Sequence, residues 1–114
     1  DDMKEILVKL LKADVIVMAS PVYFYTINAQ MKTLIDRIVP QYTNLSNKDF
    51  YFIITAAETD LNMMERSIEC FRGLLDCLEN PTEKGIIYGV GAWQKGEIKG
   101  TKAMKEAYEM GKNV

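Results

Sequence analysis

An α/β fold, a parallel sheet flanked by helices, is predicted by three observations. Short apolar runs rich in β-branched residues alternate with amphipathic stretches of helical period. Gly, Pro and Asn punctuate the boundaries, and the alternation continues through the 114 residues with no linker, repeat or low-complexity tract. The expected element order is αβαβαβα, in one domain covering residues 1–114.

Each element has its own signal. Met3, Ile6, Leu7, Leu10 and Leu11 recur at i, i+3, i+4, i+7 and i+8, which predicts a helix over 3–12 with Asp1 and Asp2 suited to its N-terminal cap. "DVIVMAS" is a nearly continuous apolar run, as expected of a strand covered on both faces, and Ser20-Pro21 is expected to stop it. From Asn28 the helical stripe returns with Met31, Leu34, Ile35 and Ile38, until Pro40; "QYTNLSNK" reads as a polar loop. "DFYFIITAA" is a second buried strand. Leu61, Met64, Ile68, Phe71, Leu75 and Leu78 then share one face of a helix expected between Asp60 and Glu79. "NPTEKG" breaks that helix, "GIIYGVG" makes a third strand and "AWQKGEIKG" a Gly-punctuated loop. The last helix, "TKAMKEAYEMGKNV", is expected to turn Met104, Ala107, Tyr108 and Gly111 inward.

Composition narrows the function. A chain of this length that is 48% hydrophobic can bury about two-thirds of its unfolded surface. Its net charge of −2, with acids and bases mixed, leaves no basic stripe for nucleic acid and no polybasic membrane patch. No apolar run approaches the roughly 20 residues that cross a bilayer, and "DDMKEILVK" is acidic and helical rather than signal-like. A soluble, cytoplasmic protein is expected. The absence of histidine removes Ser-His-Asp and Cys-His nucleophiles and imidazole metal sites. Cys70 and Cys77, seven apart in a helical pattern and so about 10 Å apart along its axis, are expected to be buried thiols rather than a disulfide.

Right-handed crossovers would place the three strands parallel and adjacent, with all carboxyl ends on one edge. That edge gathers "SPVYFYTIN", "AAETD" and "GVGAWQKG", and it is where open α/β sheets bind ligands. Tyr23, Phe24 and Tyr25 either cover the strand ends or stack on a flat heteroaromatic ligand, and Trp93 carries the same two readings. Pro21 stiffens the first loop, while Gly89, Gly91 and Gly96 would let backbone approach a ring. "GVGAWQ" fails as a dinucleotide fingerprint, because Gln94 replaces the third glycine and no ribose-binding acid follows. Asp36 and Arg37, adjacent on a helix, do not face each other and are expected to be structural. Glu58 and Asp60 are expected to cap the next helix rather than bind a hydroxyl group.

"ADVIVMASPVYFYTINAQMKTLIDR" resembles the third strand, flavin loop and following helix of the NADPH-dependent FMN reductase family, including its iron-sulfur flavoprotein branch; "GEIKGTKAMKEAYEMGKNV" resembles that family's C-terminal end. The resemblance implies a flavodoxin-like three-layer αβα fold with a 2-1-3-4-5 parallel sheet. It also implies bound FMN and hydride transfer from NAD(P)H through the flavin to a small-molecule acceptor or a redox protein. Pro21, Val22, Tyr23, Phe24 and Asn28 would border the isoalloxazine, with Ala56, Ala57 and Glu58, then Gly91, Ala92 and Trp93, around the same ring. No catalytic side chain and no metal ligand is called for, since the flavin supplies the redox chemistry. A homo-oligomer is expected by the same resemblance. The residues match the C-terminal part of the family's fold, so the first strands and the phosphate-gripping loop are expected to be missing and the edge of the "DVIVMAS" strand to be unpaired. A flavodoxin-type electron carrier and a flavodoxin-like fragment that binds no flavin are the alternatives.

Overall fold

The computed structural model describes all 114 residues. Helix α1 (Met3–Lys12) presents the expected stripe, with Met3 buried and Ile6, Leu7, Leu10 and Leu11 packed on the core. Its cap differs in detail. Asp2 makes no capping bond; Asp1 Oδ1 accepts the Met3 N–H at 3.1 Å and Asp1 Oδ2 pairs with Arg37 at 2.6 Å. At the other end the ammonium of Lys48, 7% exposed, donates to the carbonyls of Leu11 (3.0 Å) and Ala13 (2.6 Å). A cation there meets carbonyls that the helix leaves unpaired.

Strand β1 (Val15–Tyr23) runs through the expected stop: Ser20 and Pro21 lie inside it. Over Val15–Pro21 its ladder partner is β3, which leaves the other edge open, and proline is tolerated on an edge strand. The last two residues, Val22 and Tyr23, pair antiparallel with a two-residue strand β2 (Thr26–Ile27), forming a hairpin that the sequence reading does not contain. Helix α2 (Ala29–Asp36) begins at Asn28 as expected. A 3₁₀ turn, Val39–Asn44, runs into the segment read as a polar loop, which also holds the buried Leu45.

Strand β3 (Asp49–Ala56) follows its expected bounds to within a residue. The helix expected over 60–79 is shorter and starts as a 3₁₀ turn, Leu61–Met64, before α3 (Glu65–Leu75). Met64, Ile68, Phe71, Leu75 and Leu78 are buried as expected; Leu61 is exposed because the tighter turn rotates it off the stripe. Cys70 is half-buried, but Cys77 lies beyond the helix end and is exposed, correcting the expectation of two buried thiols; both are free. Strand β4 (Thr82–Val90) starts three residues before Gly85, since the polar Thr82, Glu83 and Lys84 are exposed yet carry on the ladder past a register shift at Phe50/Tyr51.

Helix α4 (Lys102–Lys112) turns Ala103, Ala107 and Met110 inward, whereas Met104, Tyr108 and Gly111 are exposed. Gly85 explains this choice between two stripes of equal spacing. A Cβ there would lie 2.7 Å from Met110 Cε, so the thioether fills the space that glycine leaves.

The sheet order is β2-β1-β3-β4, with β1, β3 and β4 parallel and adjacent. Alternation along the strands sends Ile16, Met18, Phe50, Phe52 and Ile54 to the face covered by α1, α2 and α3, where Phe52 stacks on Phe71 at 4.8 Å. On the opposite face α4 covers Tyr51 and Ile87, while Val17 is 55% exposed beside it. Arg72 clamps α3 to β4 through Glu83 (2.8 Å) and also holds Glu65 and Glu69. These carboxylates hold its guanidinium above its ordinary pKa, Glu83 most, while burial and then the charge of Glu65 push the Tyr88 phenol up along the same seam.

Candidate functional site

Parallel strands bring the chain out at one edge three times, and two of the three loops there are tied to each other. The Gly91 N–H donates to the Glu58 carbonyl at 3.1 Å and the Ala92 N–H to the Ala56 carbonyl at 3.3 Å, which joins the loops after β3 and β4. Ser20, buried within β1, accepts the Asn28 N–H at 3.0 Å and donates to the Pro21 carbonyl at 2.8 Å, closing the hairpin onto the start of α2. Asn28 Oδ1 in turn accepts the Met31 N–H at 2.9 Å, so this residue serves as the helix cap.

The hairpin is built on an unusual turn. Phe24 and Tyr25 occupy its two central positions with φ of 49° and 63°, the type I′ pattern that Asn-Gly normally supplies. Holding a bulky residue in the left-handed region costs about 1–2 kcal/mol. Tyr25 has compensating contacts: its carbonyl accepts from the buried Ser67 hydroxyl at 3.4 Å, and the Arg66 guanidinium lies over its ring at 5.8 Å. Phe24 has none, being fully exposed at 101%. Tyr23 at 61% and Trp93 at 78% also present their rings to solvent. The reading in which these aromatics cover the strand ends is therefore not the one the structure adopts.

Electrostatics at this edge are set by carboxylates folded back on their own loops. Asp60 Oδ1 accepts the Asn62 N–H (2.9 Å) and caps the 3₁₀ turn that leads into α3, as expected, whereas Glu58 Oε1 accepts the N–H groups of Thr59 (2.8 Å) and Asp60 (3.0 Å) in the loop ahead of it rather than capping a helix. Glu97, which the sequence reading passes over, accepts from Trp93 N–H (2.7 Å) and Gln94 N–H (2.8 Å). Those amides, Gln94 first, hold its carboxyl below the ordinary carboxylate range. The signal available for it was the four-residue spacing from Trp93 across Gly96, whose φ of 89° permits the turn. Gly91, at φ 76°, likewise needs glycine. Gly89 has another role: a Cβ there would meet Thr55, Ile98 and the Ile54 carbonyl within 3.2 Å, so it serves packing rather than approach to a ligand.

The structure thus brings Pro21, Val22, Tyr23, Phe24 and Asn28 into one hairpin-and-cap unit, and ties Ala56 to Ala92 and Glu58 to Gly91, with Ala57 and Trp93 beside those pairs in sequence. Both groups lie at the carboxyl edge of the parallel strands, an open shelf on which Tyr23, Phe24 and Trp93 expose their rings. The largest cavity, about 710 Å³ between α1 and residues Asp36–Gln41, takes no residue from these loops. Asp36 and Arg37, which border it, are engaged with Lys32 (2.6 Å) and Asp1, as a structural role predicts. No cluster of three or more His, Cys, Asp or Glu side chains could hold a metal ion, and no helix is long and apolar enough to cross a membrane.

Comparison with known proteins bears on the family and the fold. The family model described as NADPH-dependent FMN reductase matches residues 1–78. A stretch of 40 residues is 48% identical to the iron-sulfur flavoprotein of Archaeoglobus fulgidus and covers 35% of this chain and 18% of that one. The iron-sulfur flavoprotein of Methanocaldococcus jannaschii is 52% identical over 40 residues, covering 35% and 21%. The matched stretch thus spans about a fifth of the curated relatives' length. Among solved structures, the Trp repressor binding protein from Bacillus subtilis superposes with a TM-score of 0.80 at 19% identity, over 93% of this chain and 73% of that chain. At that identity the likeness concerns the fold.

Proposed function

The chain belongs to the NADPH-dependent FMN reductase family and has its flavodoxin-like fold, and from that premise we propose that its carboxyl-edge shelf receives the isoalloxazine ring of FMN in an NAD(P)H-dependent oxidoreductase. The observation that carries this reading is the hairpin turn that keeps Phe24 strained and wholly exposed. Strain of that kind persists where function uses it. In the proposed arrangement Pro21, Val22, Tyr23 and Phe24 line one side of the ring and Asn28 fixes the loop. Ala56, Ala57, Glu58, Gly91, Ala92 and Trp93 border the other side.

The fit is chemical as well as geometric. Tyr23, Phe24 and Trp93 offer flat faces, the positive φ of Gly91 lets backbone come close, and the Glu58 carboxylate is engaged through Oε1 by the Thr59 and Asp60 amides. Bound FMN would accept a hydride from NAD(P)H and pass reducing equivalents to an acceptor. The chain's own residues hold the ring, exclude water from its faces and keep the loops in register. The acceptor in this reading is a small molecule or a redox protein.

Visible spectroscopy of the full-length protein, reconstituted with FMN and passed through gel filtration, tests the reading. A retained flavin spectrum that bleaches near-stoichiometrically on anaerobic addition of NAD(P)H is the expected result. A retained flavin that stays oxidised until a reductase is added would identify an electron carrier, and a colourless protein would overturn flavin binding.

A further inference from the structure

Arg66 stands apart from the other arginines. Arg37 pairs with Asp1, and Arg72 on the same helix as Arg66 holds three carboxylates, yet the exposed Arg66 has no acidic partner within 4.0 Å. It is not adrift: its guanidinium lies 5.8 Å above the Tyr25 ring, and the neighbouring Ser67 hydroxyl bonds the Tyr25 carbonyl. The hairpin tip therefore fixes a cation beside the shelf. Meanwhile Glu58, Asp60 and Glu97, the carboxylates nearest in sequence to the loops, are taken up by backbone N–H groups. A guanidinium held over an aromatic face with its N–H fork free is suited to bind an anion, and phosphate oxygens match that fork.

We propose that Arg66 binds a phosphate group of the reduced nicotinamide dinucleotide, fixing one end of the donor while its flat nicotinamide lies against the shelf. This rests on the functional reading above. The donor carries two phosphate sources, the pyrophosphate common to NADH and NADPH and the 2′-phosphate of NADPH alone, and the chemistry at Arg66 is the same for both. Tyr25 acts as a positioning residue that holds the guanidinium.

Calorimetric titration of NADP⁺ and NAD⁺ into the FMN-loaded full-length protein tests it, with FMN affinity measured in parallel. Arg66→Gln is expected to weaken dinucleotide binding about tenfold, the size of a lost charged hydrogen bond, and Arg66→Lys to lose less. FMN affinity should not change. Loss for NADP⁺ alone would assign the 2′-phosphate, and equal loss for both the pyrophosphate. Lys12→Gln, the same charge change at the amino end of β1, should have no effect. Unchanged dinucleotide affinity in Arg66→Gln, or a loss of FMN instead, would overturn the assignment. If the unaltered holoprotein bound neither dinucleotide, the functional reading itself would fall, and this assignment with it.

Discussion

At the scale of single residues, Phe24 poses the sharpest question. It occupies a left-handed position with φ 49° while its ring is fully exposed, so its side chain contributes no burial to offset the strain. Phe24→Asn should therefore stabilise the protein by about 0.5–1 kcal/mol, because asparagine tolerates that conformation. It should also weaken FMN binding. Thermal melts of the unliganded protein and FMN titrations check both halves, and a destabilised variant would refute the strain argument. Trp93→Ala, which removes an exposed ring, should weaken FMN by about 1 kcal/mol with little change in melting temperature. A lower melting temperature with unchanged affinity would make Trp93 a packing residue. The sequence made the identity of these aromatics plain, but not their exposure. Burial depends on whether a neighbour reaches them, and that is a property of the assembled loops.

Among the elements, the strands and amphipathic helices were legible and their ends were not. "DVIVMAS" and "DFYFIITAA" are strands because both pack against neighbours on the sheet, and their composition says so. The hairpin was hidden because Ser20-Pro21 carries the local signal of a stop; only the open edge of β1, a tertiary fact, lets a proline continue the strand. Likewise α4 offered two stripes of equal period, and Gly85 on a distant strand decided between them. The loop after β4 shows how a short element is held by one side chain. Glu97 grips the Trp93 and Gln94 amides and its folded pKa is depressed. A depressed carboxylate contributes stability that is present above its unfolded pKa and lost as pH falls through the folded value. Amide exchange at Trp93 and Gln94 should thus stay protected down to the ordinary carboxylate range and be lost only below it. Glu97→Gln should weaken that protection at neutral pH and remove its acid transition. Exchange that ignores both pH and the substitution would detach Glu97 from the loop.

For the molecule as a whole, the dominant feature is an open sheet edge. The Val15–Pro21 edge of β1 has a ladder partner on one side only, and Val17 stands exposed on the sheet face that α4 covers farther along. Unpaired apolar edges recruit other chains. The 114-residue polypeptide studied alone should sediment as a dimer or larger species, and Val17→Lys should shift it toward monomer. A compact monomer at ordinary concentrations would show that the edge is guarded by its twist and by the short β2 hairpin. The buried ammonium of Lys48 carries a different consequence. With its nitrogen held by the carbonyls of Leu11 and Ala13, it is the lysine that an amine-reactive reagent can reach only when α1 lifts from β3. Its acylation rate, read by mass spectrometry against the rapidly modified surface lysines, is a built-in clock for that opening.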